Sequence, residues 1–149
     1  MSGSQSYNSN IESERVFSFE DLDSSLTYSY ANYLNWLFDD RVELINGKIF
    51  KMSPAPSPYH QQISLRIASE LFVFLKNKVC QVYTAPFDVR FPKESIADKD
   101  IYTVLQPDIC VICDPAKLDD RGCIGAPDLV VEILSPGNNK MELLNKYNV

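Results

Sequence analysis

The 149-residue chain has no apolar run near the roughly 18–20 residues that a membrane helix needs. Its opening, MSGSQSYNSNIESE, is polar and rich in Ser and Asn, without the apolar centre of an export signal. These absences point to the cytoplasm, where all four cysteines are expected to be reduced. Positive charge is also scarce. Lys and Arg number 14 against 20 Asp and Glu, for a net charge of −6. That argues against a broad basic surface for non-specific nucleic-acid binding, which depends on Lys and Arg at phosphates. It leaves room for a small site where a bound cation offsets local charge. A zinc ribbon lacks its second ligand pair. Cys110 and Cys113 form C-x-x-C, but Cys80 and Cys123 do not form a matching pair. In a strand, Cys110 and Cys113 would face opposite sides, so buried structural cysteines are expected. No G-x-S-x-G surrounds Ser135, which reads as a cap or loop residue rather than a nucleophile.

What is present suits one globular domain. The composition is 45% hydrophobic and 23% charged, enough for a core without metal or disulfide staples. Residues 1–14 read as a loosely held arm and 15–149 as the domain. Tyr30, Tyr33, Leu34 and Leu37 recur at helical spacing and predict a helix over Thr27–Phe38. In RVELINGKIFKM, Asn46-Gly47 predicts a hairpin with strands Arg41–Ile45 and Lys48–Met52, because both turn residues accept positive φ. Ser57 and Pro58 open a long helix to Lys76, with Ile63, Ile67, Leu71, Phe74 and Leu75 on or beside its apolar face. CQVYTA and FDVRF read as short strands. QPDICVIC and PDLVVEIL read as aliphatic strands suited to a sheet covered on both faces. A helical pattern from about Lys140 still runs at Val149, so the domain is expected to be truncated at its C-terminal end.

Four acids lie in or beside these strands: Glu43, Asp108, Asp128 and Glu132. Alternation puts Asp128, Val130, Glu132 and Leu134 on one face. A lone carboxylate in an apolar layer costs several kcal/mol unless paired, protonated or bound to a metal. For Glu132 all three answers stay open: a salt bridge, a protonated acid, or a divalent cation shared with Asp108. Hard oxygen ligands on neighbouring strands suit Mg²⁺ or Mn²⁺. Lys146 could stabilise charge beside such an ion, or pair on the surface with Glu142 at i,i+4. Asp128 lies about 13 Å along the strand from Glu132, too far to share an ion, and reads as a strand-entry acid. His60, the one histidine, could meet phosphate or move a proton, or make a helix-end hydrogen bond. Tyr28, Tyr30, Tyr33 and Trp36 read as core or partner-facing, with a base-stacking platform as the alternative.

The ordered blocks VELINGKI, SPxPSxxHQ, QPD and GAPDLVVEILSP, followed by a helical lysine, resemble the Uma-two family of bacterial proteins described as restriction endonucleases, within the PD-(D/E)XK nuclease superfamily. The likeness runs from about Leu26 to the end. It implies an α/β (α+β) fold with a mixed central sheet flanked by helices, and metal-dependent hydrolysis of nucleic acid, with DNA the expected substrate. It implies Asp108 and Glu132 as ligands to Mg²⁺ or Mn²⁺, the Ile133 carbonyl as a further ligand, Glu43 as an additional acid, and His60 with Gln61 near phosphate. In the standard motif a lysine sits two residues after the Glu, where this chain has Leu134; Lys146 would replace it from the next helix. A homodimer is expected by analogy with restriction-type nucleases. A catalytically silent binding module on the same fold, and a structural ion-pair cluster in an unrelated domain, are the competing readings.

Overall fold

The computed structural model describes residues 14–53, 55–136, 144, 146 and 148. The expected N-terminal arm, the helix expected from Lys140, and the Glu142 pairing therefore lie mostly or wholly outside the described residues.

Two sheets organise the described chain. The larger holds β1 (Val42–Ile45), β2 (Lys48–Lys51), β4 (Val89–Arg90), β5 (Val104–Leu105), β7 (Leu118–Asp119) and β8 (Gly122–Ile124), in the order β2-β1-β5-β4-β8-β7. Its pairs are antiparallel except β4 with β8, so the sheet is mixed. The smaller is antiparallel, in the order β3-β6-β9, with β3 at Gln81–Thr84, β6 at Ile109–Ile112 and β9 at Leu129–Val131. The expected α+β architecture is the one found.

Local chemistry explains the hairpin and the long helix. Asn46 and Gly47 both take positive φ, 50° and 78°, which turns β1 back into β2 with Leu44 opposite Ile49. Helix α2 runs Pro58–Leu75; the Ser57 hydroxyl accepts from the His60 N–H, and Pro58 occupies the first turn. It packs on β3, with Ile63, Ile67, Leu71 and Leu75 half-buried. Phe74, expected on that face, is exposed under the Lys78 ammonium.

Other expectations need correction. The helix predicted over Thr27–Phe38 is only one turn, α1 at Tyr30–Tyr33. Asn32 accepts from the Ser29 N–H and fixes the start, and the chain then straightens so that Trp36 bridges to Val16. PDLVVEIL is not covered on both faces: β9 is an edge strand, with Leu129 and Val130 44% and 49% exposed. The cysteines are not all thiols, because Cys80 and Cys113 form a disulfide. The register explains it. Gln81 faces Ile112, so the next residues outward meet across the strand pair. Cys110 and Cys123 are free and buried together with Val89 and Ile112, as structural cysteines.

Tyr28, Tyr30, Leu44, Ile101 and Val104 form a buried cluster against which Tyr33 and Trp36 pack. The aromatic run is therefore core rather than a stacking platform. Burial of each large side chain contributes about 1.5–3 kcal/mol. β1 walls off this cluster: Leu44 points into it, and alternation turns Glu43 the other way.

Candidate active site

Glu43, Lys146, Glu132 and Asp108 meet across the seam between the sheets. Glu43 comes from β1 and is fully buried. Its Oε1 accepts from the Gln106 N–H at 2.8 Å, and its Oε2 lies 3.0 Å from Lys146 Nζ. Lys146 also reaches Glu132 Oε1 at 3.4 Å, so one ammonium bridges an acid from each sheet region. Glu132 follows the last residue of β9 and Asp108 precedes the first residue of β6, which pairs with β9. The Ile133 N–H donates to Asp108 Oδ2 at 2.7 Å, and His60 Nε2 lies 3.3 Å from the same oxygen.

The electrostatics follow from that crowding. Burial pushes the Glu132 carboxyl up to about 7; Lys146 pulls it down, and the Asp108 and Glu43 charges push it up again. Burial works against the Lys146 ammonium, but Glu43 and Glu132 outweigh it and its pKa is raised. Of the three answers left open for Glu132, the ion pair is present in part, and the raised pKa makes the proton a competitor near neutrality.

These residues line a cleft of about 380 Å³ that also takes in Arg41, Ser53, Gln61, Ser64 and Ser135. Gln61 reaches it from the first turn of α2, beside His60. The sequence-predicted residues Asp108, Glu132, Ile133, Lys146, His60 and Gln61 are thus brought to one cleft, with Glu43 beneath Lys146. Asp128 is not among the lining residues. Its Oδ2 accepts from the Cys113 N–H at 2.7 Å, a strand-entry role as read from the sequence. A more apolar cavity of about 550 Å³ shares Glu132 and Lys146 with the cleft and lies against Val130, Leu134 and Pro107. Leu134, at the position of the missing motif lysine, faces that cavity.

Two residues that sequence reading did not single out stand beside the acids: Arg41 lines the cleft, and Gln106 bonds both Arg41 and Glu43. Arg41 donates from Nε and Nη2 to Gln106 Oε1, at 3.2 and 3.0 Å. Gln106 donates from Nε2 to the Tyr33 hydroxyl and to Asp88 Oδ1, both at 2.9 Å. Their signal lay inside motifs already quoted, the first letters of RVELING and QPD.

Among the described residues, no set of three or more His, Cys, Asp or Glu side chains is spaced to hold a metal ion. The donors present still fit a hard cation of the Mg²⁺ kind, which keeps several waters and takes one or two carboxylates. Asp108 Oδ1 and Glu132 Oε2 carry no hydrogen bond among the described residues. Burial is the main reason the Glu132 carboxyl is raised, and the Asp108 and Glu43 charges add to it; a divalent cation would offset those charges.

No described helix is long and apolar enough to cross a membrane. A curated protein from Synechocystis sp. (strain ATCC 27184 / PCC 6803 / Kazusa), "Uncharacterized protein slr1290", is 29% identical over 123 residues, 81% of this chain and 60% of its own length. A solved structure, described as that of "a putative nuclease belonging to DUF820 from Anabaena variabilis ATCC 29413", matches with a TM-score of 0.58 at 22% identity. That match covers 80% of this chain and 65% of the other, and the likeness is one of fold. The chain thus spans less than two thirds of either relative. The Uma2 family, described as "Putative restriction endonuclease", matches residues 30–148, and the chain belongs to it.

Proposed function

We propose that the protein is a divalent-metal-dependent nuclease that hydrolyses phosphodiester bonds of DNA in the cytoplasm. The observation that carries this reading is the convergence of Asp108, Glu132 and Lys146 on one cleft, with Glu43 behind them. Asp108 and Glu132 would hold Mg²⁺ or Mn²⁺, with the Ile133 carbonyl as a third oxygen. Such an ion lowers the pKa of bound water and offsets phosphate charge. The chain's own groups do the rest. The Ile133 N–H and His60 fix Asp108 Oδ2, which leaves Oδ1 for the ion. Glu43 holds Lys146 where its ammonium can face charge developing on phosphate. Lys146 thereby stands in for the lysine that Leu134 replaces. His60 and Gln61 border the phosphate from the start of α2. A homodimer is the matching expectation for cutting two strands.

A silent binding module on the same fold is the second reading. It is favoured by the absence of a three-donor cluster among the described residues, and by Lys146, which already neutralises part of the acid charge. Cleavage of single- and double-stranded DNA and RNA, with Mg²⁺, Mn²⁺ or EDTA, separates the two. Asp108→Ala and Glu132→Ala should each cut metal-dependent cleavage by at least about a hundredfold, the scale of losing a group that stabilises transition-state charge. Equal cleavage by wild type and both variants would assign the activity to a contaminant and sink the nuclease reading.

A further inference from the structure

Arg41 is held in an unusual electrostatic setting. The cleft's acids are served by other groups: Lys146 lies between Glu43 and Glu132, and His60 stands against Asp108. Arg41 instead spends Nε and one Nη2 hydrogen on Gln106 Oε1, the oxygen of a neutral amide. Its Nη1 donors have no partner among the described residues, and no carboxylate there balances its charge. A guanidinium is always protonated and donates in a fixed planar fork. One edge of the fork is occupied by Gln106, and the side chain lines the cleft.

Gln106 is itself held by several hydrogen bonds. It is buried, its N–H bonds Glu43, and its Nε2 bonds Tyr33 and Asp88. It precedes Asp108 by two residues. Pro107, between them, lines the apolar cavity, while Asp108 lines the cleft. Arg41 thus lines the same cleft as Asp108, the proposed metal ligand, with its charge unspent.

Resting on the nuclease reading, we propose that Arg41 is a phosphate-binding residue of the cleft, gripping the backbone phosphate next to the one cleaved. The ligand class is a nucleic-acid phosphodiester, taken by charge and fork geometry and not by base identity. Gln106 is the positioning residue that aims the fork.

The test is fluorescence anisotropy in EDTA, where hydrolysis is stopped, across a KCl series. The probes are fluorescein-labelled DNA duplexes of two unrelated sequences and an RNA duplex. Arg41→Met should weaken binding roughly tenfold on both DNA sequences and lower the salt slope by about one. Arg41→Lys, which keeps the charge and guards against a folding artefact, should restore the slope. The RNA arm decides whether the contact serves one polymer or both. An unchanged affinity, a loss without a change in slope, or a loss on one sequence alone would each overturn the proposal. The two readings fail separately. Cleavage by a protein whose binding ignores Arg41 removes this subsite only; Arg41-dependent binding by a protein that cleaves nothing removes the nuclease reading only. A protein that binds no nucleic acid overturns both.

Discussion

Glu43 and Leu44 are neighbours in β1, both fully buried, and they face two different halves of the molecule. On the Leu44 side, Tyr28, Tyr30, Ile101 and Val104 close around it into a buried cluster. On the Glu43 side lie the ion pairs, the cleft and the small sheet, whose helix α2 has no fully buried residue and whose β9 edge is exposed. One half is organised by packing and tolerates little change of volume. The other is organised by charge, and leaves its cleft and its sheet edge open to solvent.

Cutting into the packed half should produce the largest effect. Leu44→Ala removes a side chain surrounded on all sides and should cost about 2–5 kcal/mol, read as a lower midpoint of urea unfolding with little change in slope. A loss under about 1 kcal/mol would mean that the aromatic cluster collapses around the gap, and the contrast between the halves would weaken.

The charged half should reveal itself through pH. The Glu132 carboxyl is pushed from 4.5 to about 7 on folding, so the native state binds more protons than the unfolded state between those values. Stability from this group is present below about pH 4.5 and is lost as pH rises through about 7. Allowing for partial exposure, the loss in metal-free protein is about 2–3 kcal/mol. Glu132→Gln cannot titrate and should flatten that part of the curve, measured by denaturant unfolding at a series of pH values. A wild-type curve that rises over the same window would show that Lys146 dominates Glu132 and keeps it ionised.

The smallest effect belongs to the exposed side of α2. Phe72→Ala should change stability by no more than about 0.5 kcal/mol in the same unfolding assay. A larger loss would mean that this helix face is covered in solution, as the proposed homodimer would allow, and a concentration-dependent midpoint would then follow.

Features set by neighbouring residues were readable in the sequence, and features set by distant ones were not. The Asn46-Gly47 turn and the Ser57 cap depend on a few adjacent side chains, and both stand where expected. The one-turn length of α1 depends on Trp36 reaching back to Val16, which no helical periodicity encodes. β9 has the composition of a buried strand, but its exposure follows from its place at a sheet edge. The Cys80–Cys113 bond depends on the register of two strands far apart in the chain. Asp108, Glu132 and Lys146, which the structure brings to one cleft, were singled out because ordered motifs carried them. Arg41 and Gln106 were missed because a polar residue at a strand mouth looks like ordinary surface until its partners are known.

Lys146 joins residues from opposite ends of the described chain: its ammonium contacts Glu43, about a hundred positions earlier. Chains leave the ribosome from the N-terminus, and a contact of that span closes late. During synthesis the acids of the cleft are made before the cation that bridges them. A chain made only as far as the acids therefore carries no assembled cleft, because the ammonium that bridges Glu43 and Glu132 follows both of them in the sequence.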